Sequence, residues 1–178
     1  MTEFLPWPKI QRVSQLDVTI TEKMDGTNAC VVVRDGHLVA CQSRKRFITP
    51  TDDNAGFAAW AHDHAAELLK LGDGHHFGEW CGPGIQKNPH ALTEKRFFLF
   101  NTSRPHDELP ACVSLVPVLH RGAYAPALVE AVMEGLRISA AEVGYKPEGV
   151  IVYFHAFRQS LKATFENRDG KWRAGWAS

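Results

Sequence analysis

The chain lacks an excess of charge of either sign. Lysine plus arginine and aspartate plus glutamate both number 20, so the formal net charge is zero. That excludes a protein that coats nucleic acid through bulk cationic charge, while leaving room for local basic patches. Two such patches occur: Ser43-Arg44-Lys45-Arg46, and Lys171-Trp172-Arg173 with an aromatic interleaved. No apolar run approaches membrane-spanning length, and the N-terminus, with Glu3 and Pro6, lacks a signal-peptide plan. The four cysteines (Cys30, Cys41, Cys81, Cys112) are scattered without paired spacing, which excludes a disulfide framework. They read as reduced, mostly buried thiols of a cytoplasmic protein with no membrane association. Repeats, low-complexity tracts and linkers are missing too, so residues 1–178 read as a single domain long enough to bury a real core.

What is present is a strand-rich pattern. Asp17-Val18-Thr19-Ile20-Thr21 alternates with a period of two, as a half-buried strand does. Ala29–Val33 and His37–Cys41 flank Asp35-Gly36, the strongest local hairpin signal in the chain. Helix-capping candidates at 49–54 precede Phe57, Trp60, Ala61, Ala65, Leu68 and Leu69 at helical spacing, and Gly72 fits the stop. Further strands are expected at His76–Trp80, Arg96–Phe100, Val113–Val118, Gly149–Phe154 and Gln159–Phe165, with a turn at Asp169-Gly170. A second helix opens near Pro126, with Leu128, Val129, Val132, Met133 and Leu136 on one face. Many hairpins with two interspersed helices indicate an α+β fold built on antiparallel sheets.

Four stretches carry candidate chemistry. Lys23 ends the first strand just before Asp25-Gly26, where glycine suits backbone angles that other residues avoid. An amine desolvated there, or set beside another cation, becomes a nucleophile. Glu79 lies in a strand ahead of a glycine-proline loop, Gly82-Pro83-Gly84. Glu148 stands at the mouth of an apolar strand, where a carboxylate can hold a divalent cation through oxygen. Lys162 lies in the last strand between Leu161 and Phe165 and would need an anionic partner if it pointed inward. His75, His76 and Cys81 lack the second ligand pair of a zinc site.

Taken in order, Lys-x-Asp-Gly, Ser-Arg, Gly-Glu, an aromatic strand, Glu-Gly-Val and a final lysine resemble the covalent nucleotidyltransferases, the polynucleotide ligases and RNA capping enzymes. Glu22-Lys23-x-Asp25-Gly26-x-Asn28 with Phe77-Gly78-Glu79-Trp80-x-Gly82-Pro83-Gly84-Ile85-Gln86 is similar to the ATP-dependent RNA ligase branch that includes bacteriophage nick-sealing enzymes. The resemblance implies an ATP-grasp-like ligase adenylylation domain that uses ATP and magnesium or manganese and acts on RNA ends, nicked duplexes included. It implies that Lys23 attacks the ATP α-phosphate to become Lys-AMP, with Glu22, Asp25 and Asn28 around the nucleotide. Arg44 would contact a phosphate and Glu79 the ribose hydroxyls. Phe100 would stack on adenine, with Phe98 as the alternative ring. Glu148 would position the metal, and Lys162 would neutralise charge on the α-phosphate.

The last family motif usually carries two lysines separated by one residue, whereas Ser160-Leu161-Lys162-Ala163-Thr164 carries one. Many relatives also add a C-terminal nucleic-acid-engaging domain, which is not expected here. Two other readings stay open: a GTP-charging capping-type transferase, and a binding module for nucleotides or nucleic-acid ends with weakened catalysis.

Overall fold

The computed structural model describes residues 3–7 and 16–166. The expected Asp169-Gly170 turn and the basic Lys171-Trp172-Arg173 stretch lie outside them. Among the described residues the strands form two sheets. In the first, β1 (Asp17–Glu22) pairs antiparallel with β8 (Val118–Ala123) and β9 (Gly149–Phe154), and β9 pairs with β10 (Gln159–Thr164). The second runs β4 (Phe47–Ile48), β3 (His37–Ser43), β2 (Thr27–Arg34), β5 (Gly74–Cys81), β6 (Arg96–Leu99), β7 (Val113–Leu115). The Asp35-Gly36 turn joins β2 to β3 with φ of 50° and 69°, the left-handed pair that a two-residue hairpin needs.

Each sheet has its own helical cover. Helix α3 (Pro126–Val143) starts on a proline and ends at Gly144 in the left-handed conformation, as proline-first, glycine-last chemistry dictates. Its Leu128, Val129, Val132, Met133 and Leu136 pack on Val18, Ile20, Val150 and Val152 of the first sheet. Helices α1 (Phe57–Asp63) and α2 (Ala65–Leu68) cover the second, where Phe57 lies 4.9 Å from Phe97 and 5.4 Å from Trp80 between ring centroids. Asp53 fulfils the expected capping role from outside the helix, its carboxylate accepting the N–H groups of Ala58 and Ala59.

Several expectations change. The helix foreseen from Phe57 to Gly72 breaks at His64, whose Nδ1 lies 2.8 Å from the Trp60 carbonyl and whose backbone leaves helical angles; the chain resumes as α2 and a 3₁₀ turn. The strand foreseen over Val113–Val118 is two strands in different sheets. Pro117, which has no N–H to give, marks the crossing: Val116 still donates to Leu99, while the Pro117 carbonyl already accepts from Glu22. The sheets are antiparallel except for one parallel pair, β6 with β7, because the connection between them brings the chain back in the same direction.

Where the sheets meet, Met24, Cys81 and Val116 form a small buried cluster with Leu92 and Phe98 against it. Gly26 lies in this junction. It does not take the left-handed angles expected of it; it is needed for close approach, since a Cβ there would stand 2.5 Å from the Trp80 carbonyl oxygen and 2.7 Å from Cys81 Sγ. Gly26→Ala is therefore expected to lower stability by about 1–3 kcal/mol through overpacking. Urea unfolding checks this, and an unchanged midpoint would refute the close packing.

Candidate active site

Lys23 follows directly on β1, and its backbone N–H donates to the Gly149 carbonyl at 2.9 Å, tying it to the mouth of β9. Gly149 has φ 151°, and a Cβ there would run into the backbone of Ala163 and Thr164, so only glycine lets β10 lie so close. Glu148 precedes it, and its Oε2 accepts from Lys23 Nζ at 2.6 Å. The two side chains are 23% and 18% exposed, so salt screens this pair less than it would a surface one.

A second carboxylate lies across the cleft. Glu79 of β5 faces Asn28 of β2 in register, and Asn28 Nδ2 donates to its Oε2 at 2.9 Å. Burial pushes the Glu79 carboxyl up to about 7, against the Lys23 charge and the Asn28 hydrogen bond; the negative charges of Glu148 and Asp25 add to the rise. Asp25 accepts the Lys87 N–H at 3.3 Å, anchoring the loop after β5 beside the nucleophile candidate.

Asn28 also opens onto a cavity of about 230 Å³ lined by Gln42, Ser43, Arg44, Phe77 and Phe100. Phe100 and Phe77 are neighbours across the edge of β6, the Phe100 N–H donating to the Phe77 carbonyl, and both rings are about half exposed. Phe98 instead packs into the junction cluster, which leaves Phe100 as the ring of that strand available for stacking. The structure thus brings Lys23, Glu148, Asp25, Glu79 and Asn28 into one electrostatic group, with Arg44 and Phe100 reached through Asn28.

Two expected residues sit apart. Lys162 is exposed on β10, opposite Ile151, which in turn faces Thr21; strand alternation puts it on the same sheet face as Lys23, two strands away. Glu22 lies on the opposite face of β1, with Val18 and Ile20, and its carboxylate is buried against Tyr145 and His90. The buried thiols are held protonated, Cys30 and Cys41 at about 11 and Cys81 at about 12, so none competes with Lys23 as a nucleophile.

Among the described residues, no group of three or more histidine, cysteine or carboxylate side chains could cage a metal. The oxygen donor expected there is the single carboxylate of Glu148, beside the Lys23 amine. Hard oxygen donors in small number suit magnesium or manganese, which keep most of their shell for water and phosphate oxygens. No helix among the described residues is long and apolar enough to cross a membrane.

Sequence reasoning missed Phe77, His90 and Tyr145. Phe77 was within reach, since it is two residues before Glu79 on the same strand and so shares its face. His90 and Tyr145 gave no local signal, because they meet Glu22 from 68 and 123 residues away.

The Glu79 environment generates a pH prediction. Its folded pKa is raised from the ordinary 4.5, so the carboxyl contributes stability that is fully present below pH 4.5 and lost as pH rises through about 7. Glu79→Gln has no such loss. Its unfolding free energy relative to the wild type, measured by urea unfolding, should climb between pH 4.5 and 8 by an amount on the order of 1–3 kcal/mol. A pH-independent difference would refute the burial account.

Residues 16–164 match the RNA ligase family profile. No curated protein sequence matches the chain. Among solved structures, a variant of Naegleria gruberi RNA ligase with AMP and Mn is similar at a TM-score of 0.63 and 20% identity, over 92% of this chain and 57% of that one. A second variant, with ATP and Mn, gives 0.63 and 20% over 85% and 50%. An apo variant gives 0.65 and 20% over 92% and 56%. The chain spans about half the length of these proteins, and at this identity the likeness is one of fold. With a matched profile over most of its length, the chain belongs to the RNA ligase family.

Proposed function

We propose that this chain is the nucleotidyltransferase unit of an ATP-dependent RNA ligase, acting on RNA ends, nicked duplexes included. The observation that carries this is the Lys23 amine, paired with Glu148 at 2.6 Å in a cleft that also holds Glu79, Asn28 and an aromatic-lined cavity. The solved relatives with ATP or AMP and Mn support it.

In this reading the deprotonated Lys23 amine attacks the ATP α-phosphorus, a P–N bond forms, and the P–O bond to pyrophosphate breaks. A 5′-phosphate oxygen of the RNA then attacks the same phosphorus, releasing Lys23 and leaving AMP on the RNA end. A 3′-hydroxyl finally attacks the RNA 5′-phosphorus, forming the phosphodiester and expelling AMP. Asn28 orients Glu79, whose carboxyl accepts a ribose hydroxyl. Phe100, with Phe77 beside it, offers the stacking surface for adenine. Arg44 meets a phosphate at the cavity rim, Asp25 holds the loop over Lys23, and Lys162 places positive charge on the Lys23 face of the sheet. Of Glu22, it is the backbone before Lys23 that borders the nucleotide. Glu148 would hold a magnesium or manganese ion, which when bound supplies positive charge to the phosphate oxygens.

Intact mass after incubation with ATP and magnesium tests the proposal: the protein should gain one AMP, GTP should not substitute, and Lys23→Ala should gain nothing. RNA binding without any adduct would favour a binding module instead and sink the enzyme reading. Phe100→Ala should raise the half-saturating ATP concentration about two- to tenfold, the worth of one aromatic stack. Unchanged ATP dependence would move adenine elsewhere.

A further inference from the structure

Glu22 breaks the pattern of its own strand. Val18 and Ile20 are fully buried under α3, and the next position on that face is a carboxylate only 4% exposed. A buried carboxylate is costly unless donors surround it, and an apolar residue would have continued the row more cheaply. Donors do surround it. Tyr145 Oη donates to both oxygens at 3.1 and 3.2 Å, and His90 Nε2 lies 3.1 Å from Oε1. The Tyr145 and His90 rings also pack together, 4.4 Å between centroids. Burial and the adjacent carboxylate push the Tyr145 phenol up to about 12, which keeps it a donor.

Each partner is itself fixed to a segment that matters to Lys23. Tyr145 follows the left-handed Gly144 that ends α3, and its N–H closes the helix onto the Ala140 carbonyl at 3.0 Å. Three residues later comes Glu148, which holds the Lys23 amine. His90 belongs to the loop leaving β5 after Glu79. The same loop reaches the far side of Lys23 where the Lys87 N–H meets Asp25. Lys23 is thus bracketed: the residue before it is clasped to the α3–β9 connection and the loop, and the residue two after it is clasped to that loop again.

From this geometry we infer that the Glu22–Tyr145–His90 cluster positions Lys23 for attack, with Tyr145 and His90 as positioning residues of the charging step. The carboxylate fixes direction where apolar packing would fix only depth, and it does so at the residue whose backbone carries the nucleophile. The inference rests on Lys23 being the AMP acceptor, as proposed above.

Single-turnover Lys-AMP formation, measured across ATP concentrations for wild type, Tyr145→Phe, His90→Gln and the double variant, tests it. Each single change should slow charging at saturating ATP roughly five- to twentyfold, the scale of a small misplacement of the nucleophile, with half-saturating ATP within about twofold of wild type. The double variant should lose less than the product of the single losses, because both donors act through one carboxylate. Should Tyr145→Phe fail to fold, Glu22→Gln read in the same way decides, since it keeps the shape and one acceptor oxygen. Variants that charge at the wild-type rate, losses confined to half-saturating ATP, or losses that multiply would each overturn the inference. A wild type that never charges overturns the functional reading and this inference together, whereas a charging wild type with unaffected variants overturns the inference and leaves that reading standing.

Discussion

The ion pair between Lys23 and Glu148 is the contact around which the cleft is arranged. Its two members come from 125 positions apart and meet because β1 and β9 are hydrogen-bonded neighbours whose ends coincide. Glu148 has the Lys23 amine at 2.6 Å, while burial holds the Glu79 carboxyl up at about 7 against the charge of the same lysine. Asp25 adds a further acidic residue, so acidic side chains outnumber lysines around the cleft. A triphosphate entering such a cleft needs additional positive charge. That makes the rim positions of Arg44 and Lys162, and the capacity of Glu148 to take a divalent cation, parts of one electrostatic requirement rather than separate features.

Much of this was legible in the chain. Asp35-Gly36 fixed a hairpin because two left-handed positions in a row admit few residue pairs. Pro126 and Gly144 bounded α3 for equally local reasons. What was not legible depended on distant partners. His64 turns its ring back on the Trp60 carbonyl and splits a helix whose apolar spacing runs on without interruption. Pro117 reads as a blemish in one apolar run, yet it is where the chain passes from one sheet to the other. In the site, Lys23, Glu79 and Glu148 announced themselves through their glycine neighbours and their order. Glu22 announced itself as part of the same motif while its side chain points the other way, because strand alternation sends adjacent residues to opposite faces.

That alternation also explains why the cleft needs both sheets. Lys23, Glu148 and Lys162 belong to the first sheet; Asn28, Arg44, Glu79 and Phe100 belong to the second or its edge. Any chemistry joining the two sets depends on how the sheets sit together, and that is set at a narrow seam. The seam consists of the Met24, Cys81 and Val116 cluster, the hydrogen bonds from Glu22 to Pro117 and from Val116 to Leu99, and the tight approach of Gly26 to Trp80. Met24 occupies the unspecified position of Lys-x-Asp-Gly, yet it is 5% exposed and packs at the seam itself. Its side chain anchors the turn whose neighbours do the chemistry, so a polar residue there would loosen the registry between sheets before it touched any nucleotide. The motif is thus a packing unit as well as a chemical one: Glu22 is held from one face, Met24 is buried at the seam, and Lys23 between them is left facing Glu148.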